Sequence, residues 1–322
     1  MTQWTWCPTT GGYRGVAFTS WPSATTRPLA LVQASGGGTL SRDRSPPTPA
    51  GCRHVGRKSC SPQGDAVITY VDTHCHLDHH ESLTVAGQVE RARKAGVATM
   101  ITVGTDMASS TQAVATARRF DGVWAAVAVH PNDAIEATPG VLEVIDRLAG
   151  DDVVVAVGET GLDYYRDYAT PAQQQRAFRA HIDIARRRNK TLVIHCREAW
   201  PDLLDILDDH GAPERVVMHC FSGDLDVTAR CVERGWYLSY AGNVTFTNAA
   251  DLRESAVATP LDLLLTETDS PYLTPHPHRG EPNDPSYLPL TAAALADVKG
   301  LAVADLAETV FANAQRAFGL SA

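Results

Sequence analysis

The 322-residue sequence has no apolar run long enough for a membrane span or for the hydrophobic region of a secretory signal, so no membrane association is expected. It has no disulfide framework either. Its seven cysteines are an odd number without close paired spacing, which fits reduced thiols in a cytoplasmic protein. Positive charge is also short: 28 Lys+Arg face 37 Asp+Glu, a net −9. Such a chain exerts no long-range attraction on a polyanion, so a nucleic-acid partner must be held by local contacts and metal ions, and tight duplex binding is disfavoured.

Residues 1–66 are poor in acids, with seven Lys+Arg against two Asp+Glu, and the remainder carries −14. This stretch is rich in Gly, Ser, Thr, Pro and Arg, includes Gly36-Gly37-Gly38 and Pro46-Pro47, and shows neither helical nor strand periodicity. A disordered, low-complexity N-terminal extension is expected, dispensable to the fold. Its composition resembles an organellar transit segment only superficially, because no sustained amphipathic helix appears. An upstream start assignment would also account for it; mass analysis that finds residue 1 on the native protein contradicts that origin. Cys52, His54 and Cys60 imitate a zinc cluster but lack a fourth ligand.

From residue 67 onward, short apolar runs alternate with helical segments. Strands are expected at 67–73, 97–103, 123–129, 153–157, 191–194, 215–218, 236–239 and 261–266. Helices are expected at 83–95, 109–120, 139–148, 171–188, 199–210, 224–233 and 248–255, with more after residue 290. Eight strand–helix units within 67–322 have the length and rhythm of a (β/α)8 TIM barrel, an α/β fold. A doubly wound open sheet would show a similar alternation.

Five segments decide between them, since each carries a metal-binding side chain at the end of an apolar run. They are Asp72-Thr73-His74-Cys75-His76, Val157-Gly158-Glu159, Val193-Ile194-His195, Val217-Met218-His219 and Thr266-Glu267-Thr268-Asp269. Alternation along a strand aims His74 and His76 to one side and Cys75 to the other, and likewise turns Cys196 and Cys220 away from their neighbouring histidines. These positions close the first, fourth, fifth, sixth and eighth strands, and only a closed ring brings the first beside the last. Four imidazoles and two carboxylates exceed what one four-coordinate ion needs, and a bridging carboxylate can hold two ions. Any one of the histidines alone reads as a core or capping imidazole; six matching strand ends read as a two-metal hydrolase.

The motifs Asp72-Thr73-His74-Cys75-His76-Leu77-Asp78, Gly158-Glu159-Thr160-Gly161-Leu162-Asp163-Tyr164-Tyr165, Val193-Ile194-His195-Cys196-Arg197, His219-Cys220-Phe221-Ser222-Gly223 and Glu267-Thr268-Asp269-Ser270-Pro271-Tyr272-Leu273 resemble the TatD family of metal-dependent deoxyribonucleases. The resemblance covers about 67–322. It implies an amidohydrolase-like barrel that hydrolyses phosphodiester bonds, often as a 3′-to-5′ exonuclease on DNA. It also implies that His74, His76 and Asp269 hold one metal, His195 and His219 the other, with Glu159 between them where related barrels often use a carbamylated lysine. The segment Arg279-Gly280-Glu281-Pro282-Asn283-Asp284-Pro285 keeps the family's Arg-Gly and Asn-x-Pro pieces but has Glu281-Pro282 where members often carry basic residues.

Two divalent ions a few ångströms apart acidify a bridging water and bind phosphate oxygens, so the protein need not supply a nucleophile. Asp269 is the candidate proton acceptor, and Glu159 shares the catalytic centre. Zn²⁺ or Mn²⁺ suits the mixed ligands and Mg²⁺ the carboxylates. His130 either donates to a substrate phosphate or hydrogen-bonds a ligand carboxylate, and Arg197 pairs with phosphate or with an acidic neighbour. Asp163 and Tyr164 are expected to order the site, and Phe221-Ser222-Gly223 offers backbone N–H groups ahead of a helix. His79, His80, His181 and His210 read as surface residues, and Trp236 and Phe246 as packing. The expected substrate is DNA, single-stranded or with frayed ends. The same architecture also serves ester or amide hydrolysis, for example of an aminoacyl-RNA bond, and a non-catalytic metal-containing binding protein is a third alternative.

Overall fold

A computed structural model describes residues 68–320. The expected extension, its boundary at 66 and 67, and Cys52, His54 and Cys60 lie outside the described residues.

Eight strands follow in chain order: β1 (Tyr70–Cys75), β2 (Val97–Val103), β3 (Val123–Val127), β4 (Val154–Asp163), β5 (Thr191–Arg197), β6 (Val216–Met218), β7 (Tyr237–Tyr240) and β8 (Leu264–Thr266). Each pairs in parallel with the next. Helices α1 (Val85–Lys94), α2 (Met107–Arg119), α3 (Pro139–Ala149), α4 (Pro171–Arg188), α5 (Trp200–His210), α6 (Leu225–Glu233) and α7 (Ala250–Ala258) fill the successive crossovers. After β8 come α8 (Leu288–Lys299) and α9 (Val303–Phe318). Runs such as Val154–Val157, buried throughout, suit strands covered on both faces.

The ring closes where the last strand meets the first. Asp269 N–H donates to His74 O (2.9 Å), His76 N–H donates to Ser270 O (2.8 Å), and Thr73 Oγ1 donates to Thr266 O (3.0 Å). An open sheet would leave those segments at opposite edges. The fold is thus the expected TIM-type barrel.

The helices pack through apolar stripes. In α4 the buried positions Gln174, Ala177, Phe178, His181, Ile182 and Ala185 recur at helical spacing. Thr170 caps its start, Pro171 opens its first turn, and Asn189 ends it in the left-handed conformation (φ 51°). Arg186, Arg187 and Arg188 occupy its last turn, where the helix dipole favours cations. Phe178 is fully buried, and truncating it to alanine would cost about 3–5 kcal/mol.

Four strands, β3, β4, β5 and β8, end or begin away from expectation for local reasons. β3 stops at Val127 because side chains take over its backbone: Ala128 N–H donates to Ser110 Oγ (3.2 Å) and Val129 N–H to His181 Nε2 (3.1 Å). β4 and β5 run on past 157 and 194, so Glu159 lies within a strand rather than at its end. Leu261–Leu263 form a 3₁₀ turn after Pro260, and Asn313 Nδ2 donates to the Leu261 and Leu264 carbonyls (2.7 Å each). No helix among the described residues is long and apolar enough to cross a membrane.

Candidate metal centre

His74 and His76 project to the same side of β1, with their Nε2 atoms 3.3 Å apart. Glu159 reaches them from β4, where the ladder with β5 shifts register between Val157 and Thr160, an irregularity that re-aims side chains. Gly161 makes this path possible. Its φ is +139°, and a Cβ there would stand 2.0 Å from His195 O, so only glycine lets β4 run this close to β5.

The carboxylate of Glu159 divides its two oxygens between two groups of nitrogens. Oε2 lies 3.5 Å from His74 Nε2 and 3.7 Å from His76 Nε2. Oε1 lies 2.9 Å from His195 Nδ1, 3.0 Å from His219 Nε2 and 3.3 Å from His130 Nε2. Asp269 Oδ1 joins the first group, 3.9 and 3.7 Å from the His74 and His76 Nε2 atoms. All six side chains singled out from the sequence are therefore brought together around Glu159.

The outer ring nitrogens show what the inner ones can do. His76 Nδ1–H donates to Val103 O (2.9 Å), His195 Nε2–H to Asp163 Oδ2 (3.2 Å), and His219 Nδ1–H to Glu267 Oε1 (3.0 Å). Each partner only accepts, so in the neutral ring the inward nitrogen is a bare lone pair. Among the described residues His74 has no partner on Nδ1 and instead stacks on His219, with ring centroids 3.8 Å apart. Inward lone pairs and two carboxylates, gathered away from water, repel one another unless cations sit among them. The donor set fits divalent metal, and the outer carboxylates Asp163 and Glu267 orient ligating imidazoles as such centres require.

Electrostatics agree. Burial opposes charge on His219, but Glu159 and Glu267 outweigh it and hold its pKa well above the usual histidine range. Burial likewise opposes charge on His76 and His195, yet both are raised by carboxylate neighbours, Asp269 and Glu159 for His76 and Asp163 and Glu159 for His195. For Glu159 burial is overcome by His219 and His130, which hold its carboxyl well below the normal range. Burial and the neighbouring His219 charge push His74 down to about 3. The pocket attracts positive charge.

His130 caps the 3₁₀ turn Pro131–Glu136 rather than ending β3. Its Nδ1 accepts from Asn132 N–H (3.0 Å), so Nε2 carries the proton and donates toward Glu159 Oε1. Arg197, at the end of β5, pairs with no carboxylate among the described residues; its guanidinium lies 3.7 Å over the Tyr165 ring. Tyr164 turns outward to Asp202 (2.8 Å).

Several functional positions escaped the sequence reading. Glu267 is fully buried, and its Oε1 also accepts from Cys220 N–H (2.7 Å). Asp72 accepts from Thr268 N–H (2.9 Å) and Oγ1 (2.6 Å), and burial pushes its carboxyl up to about 7 against those bonds. Asn283 donates to the Thr268 and Tyr272 carbonyls (2.8 and 2.6 Å), so the Asn-x-Pro piece pins the segment that carries Asp269. Asp269 itself has φ +52°, a strained conformation that aspartate tolerates better than most residues. Three expectations are corrected. His79 stacks on His76 with centroids 4.8 Å apart, His181 is fully buried, and Cys220 (φ +44°) lies beyond β6 and lines the cavity instead of turning away. The cavity above the cluster measures about 760 Å³.

The sequence matches the TatD related DNase family over residues 71–319. It is 44% identical over 258 residues to the "Uncharacterized metal-dependent hydrolase TatD" of Mycobacterium tuberculosis, covering 78% of this chain and 98% of that one. It is 37% identical over 243 residues to the "3'-5' ssDNA/RNA exonuclease TatD" of Escherichia fergusonii, covering 72% and 92%. The crystal structure of YJJV, a TatD homolog from Escherichia coli K12, superposes with a TM-score of 0.75 at 27% identity, covering 80% of this chain and all of that one. The chain belongs to the TatD family of metal-dependent hydrolases.

Proposed function

We propose that this chain hydrolyses phosphodiester bonds of single-stranded DNA from the 3′ end, with two divalent ions, Mg²⁺, Mn²⁺ or Zn²⁺, held by His74, His76, Glu159, His195, His219 and Asp269. One observation carries the reading: the two oxygens of Glu159 face two separate sets of nitrogens, as a bridging ligand does. The exonuclease name of the Escherichia fergusonii relative supports the substrate and polarity.

Divalent ions bound there supply positive charge to phosphate oxygens and lower the pKa of water. Asp269, at the cavity wall, accepts the proton of the attacking water on its carboxylate. Glu159 fixes the spacing of the two ligand groups. His130 lines the cavity, where its one Nε2–H either stays on Glu159 Oε1 or turns to a phosphate oxygen of the substrate. Arg197, stacked on Tyr165 and unpaired with acid among the described residues, is available to a second phosphate.

The test is hydrolysis of a 5′-labelled single strand with each metal and with EDTA, beside Asp269→Asn. Metal-dependent shortening from the 3′ end, reduced at least about a hundredfold in the variant, is the expected result. Hydrolysis of an aminoacyl ester with no strand cleavage under any metal would overturn the reading.

A further inference from the structure

Three tyrosines rank among the few large apolar side chains left exposed: Tyr165 (51%), Tyr168 (65%) and Tyr272 (54%). They come from two loops only, after β4 and after β8. In an eight-stranded ring those strands stand opposite each other, so the tyrosines occupy facing walls of the mouth. Tyr165 is already engaged, since the Arg197 guanidinium covers its ring at 3.7 Å, and Arg166 also lies over it at 5.1 Å. It acts as a rest that holds Arg197. Tyr168 and Tyr272 line the cavity, and neither hydroxyl makes a hydrogen bond among the described residues, so the ring rather than the phenol is what each presents. Tyr272 stands edge-on to His76, with centroids 6.1 Å apart, directly beside the metal ligands.

We propose that Tyr272 and Tyr168 are the specificity-determining stacking walls for two unpaired bases, Tyr272 for the terminal nucleotide at the metal centre and Tyr168 for a following one, with Arg166 and Arg197 on the phosphates between. The proposal rests on the nucleic-acid reading above and adds why the strand must be single. Bases on opposite walls cannot remain paired to a complement. The cavity, about 760 Å³, exceeds what a bare phosphodiester fills, and every base has a ring face to offer, so recognition is of unpaired bases and not of sequence. Local stacking and two arginines also explain how a chain of net charge −9 retains a polyanion.

The experiment uses oligonucleotides with 2-aminopurine at the 3′ end, or abasic at the last two positions, on the full chain. In the Asp269→Asn background, binding should quench the 2-aminopurine; Tyr272→Ala should abolish the quench, and Tyr272→Phe should keep it. In the otherwise unaltered enzyme, the ratio of kcat/KM on intact over abasic strands should fall about tenfold in Tyr168→Ala and in Tyr272→Ala and be retained in the Phe variants. Unchanged ratios and an undiminished quench would overturn the proposal. A quench that depends on Tyr272 in a chain that cleaves no strand would instead overturn the nuclease reading and leave the stacking walls standing.

Discussion

Glu267 Oε1 accepts two hydrogen bonds at once, from His219 Nδ1 (3.0 Å) and from the backbone N–H of Cys220 (2.7 Å). One buried carboxylate oxygen thereby fixes both the ring of His219, a proposed metal ligand, and the left-handed residue after it (φ +44°). Replacing it, Glu267→Gln, would put an amide where an anion orients the imidazole. Metal affinity should fall about 10- to 100-fold, as loss of a carboxylate behind a ligating histidine typically does. Competition against a fluorescent chelator measures this; an unchanged affinity would show that His219 needs no such support.

Metal binding should release protons, because the cations displace them from the histidines. Without metal, His219, His76 and His195 hold protons above the usual histidine range. Affinity should therefore drop steeply as pH falls from 8 to 6, beginning above the pH where an isolated imidazole titrates. His74, pushed down to about 3, contributes nothing in that window. Calorimetry in buffers of different ionisation enthalpy counts the protons. Binding at pH 7 with no proton release would contradict this picture.

His181 should make the barrel acid-sensitive in its own right. It is fully buried and neutral, its Nε2 accepts from Val129 N–H, and its pKa is pushed down to about 4 by burial. The unfolded chain binds this proton near 6.5, so between about 6.5 and 4 the unfolded state holds more protons than the folded one. Stability is complete above that window and is lost as pH falls through it, by about 3 kcal/mol in all. His181→Gln, whose carbonyl can still accept from Val129, should lose less between pH 7 and pH 5. Urea midpoints at the two pH values compare them; equal losses in both proteins would remove the assignment.

The strands were legible because apolar β-branched runs ended in isolated polar residues, and the ring was legible because such endings recurred from β1 to β8. Glu159 was recognisable as a candidate ligand but was expected at the end of a strand, because the apolar run stops at Val157. In fact Gly161 is what lets it continue beside β5. His181 looked like a surface residue among arginines, although its spacing from Ala177, Phe178, Ile184 and Ala185 places it on the buried stripe of α4. Glu267 lay in plain view two residues before Asp269. Its service to His219 required the path of the chain after β6, which no local pattern carries. Tyr168 and Tyr272 are far apart in sequence and face each other only once the ring has closed.

The bridging role of Glu159 is most directly tested by counting tightly bound divalent ions per chain, by elemental mass spectrometry after metal loading and gel filtration, in the native sequence and in Glu159→Ala. Two ions in the former and at most one, weakly held, in the latter is the expected outcome. A single ion in the native chain, or two retained without the carboxylate, would contradict a centre built around Glu159.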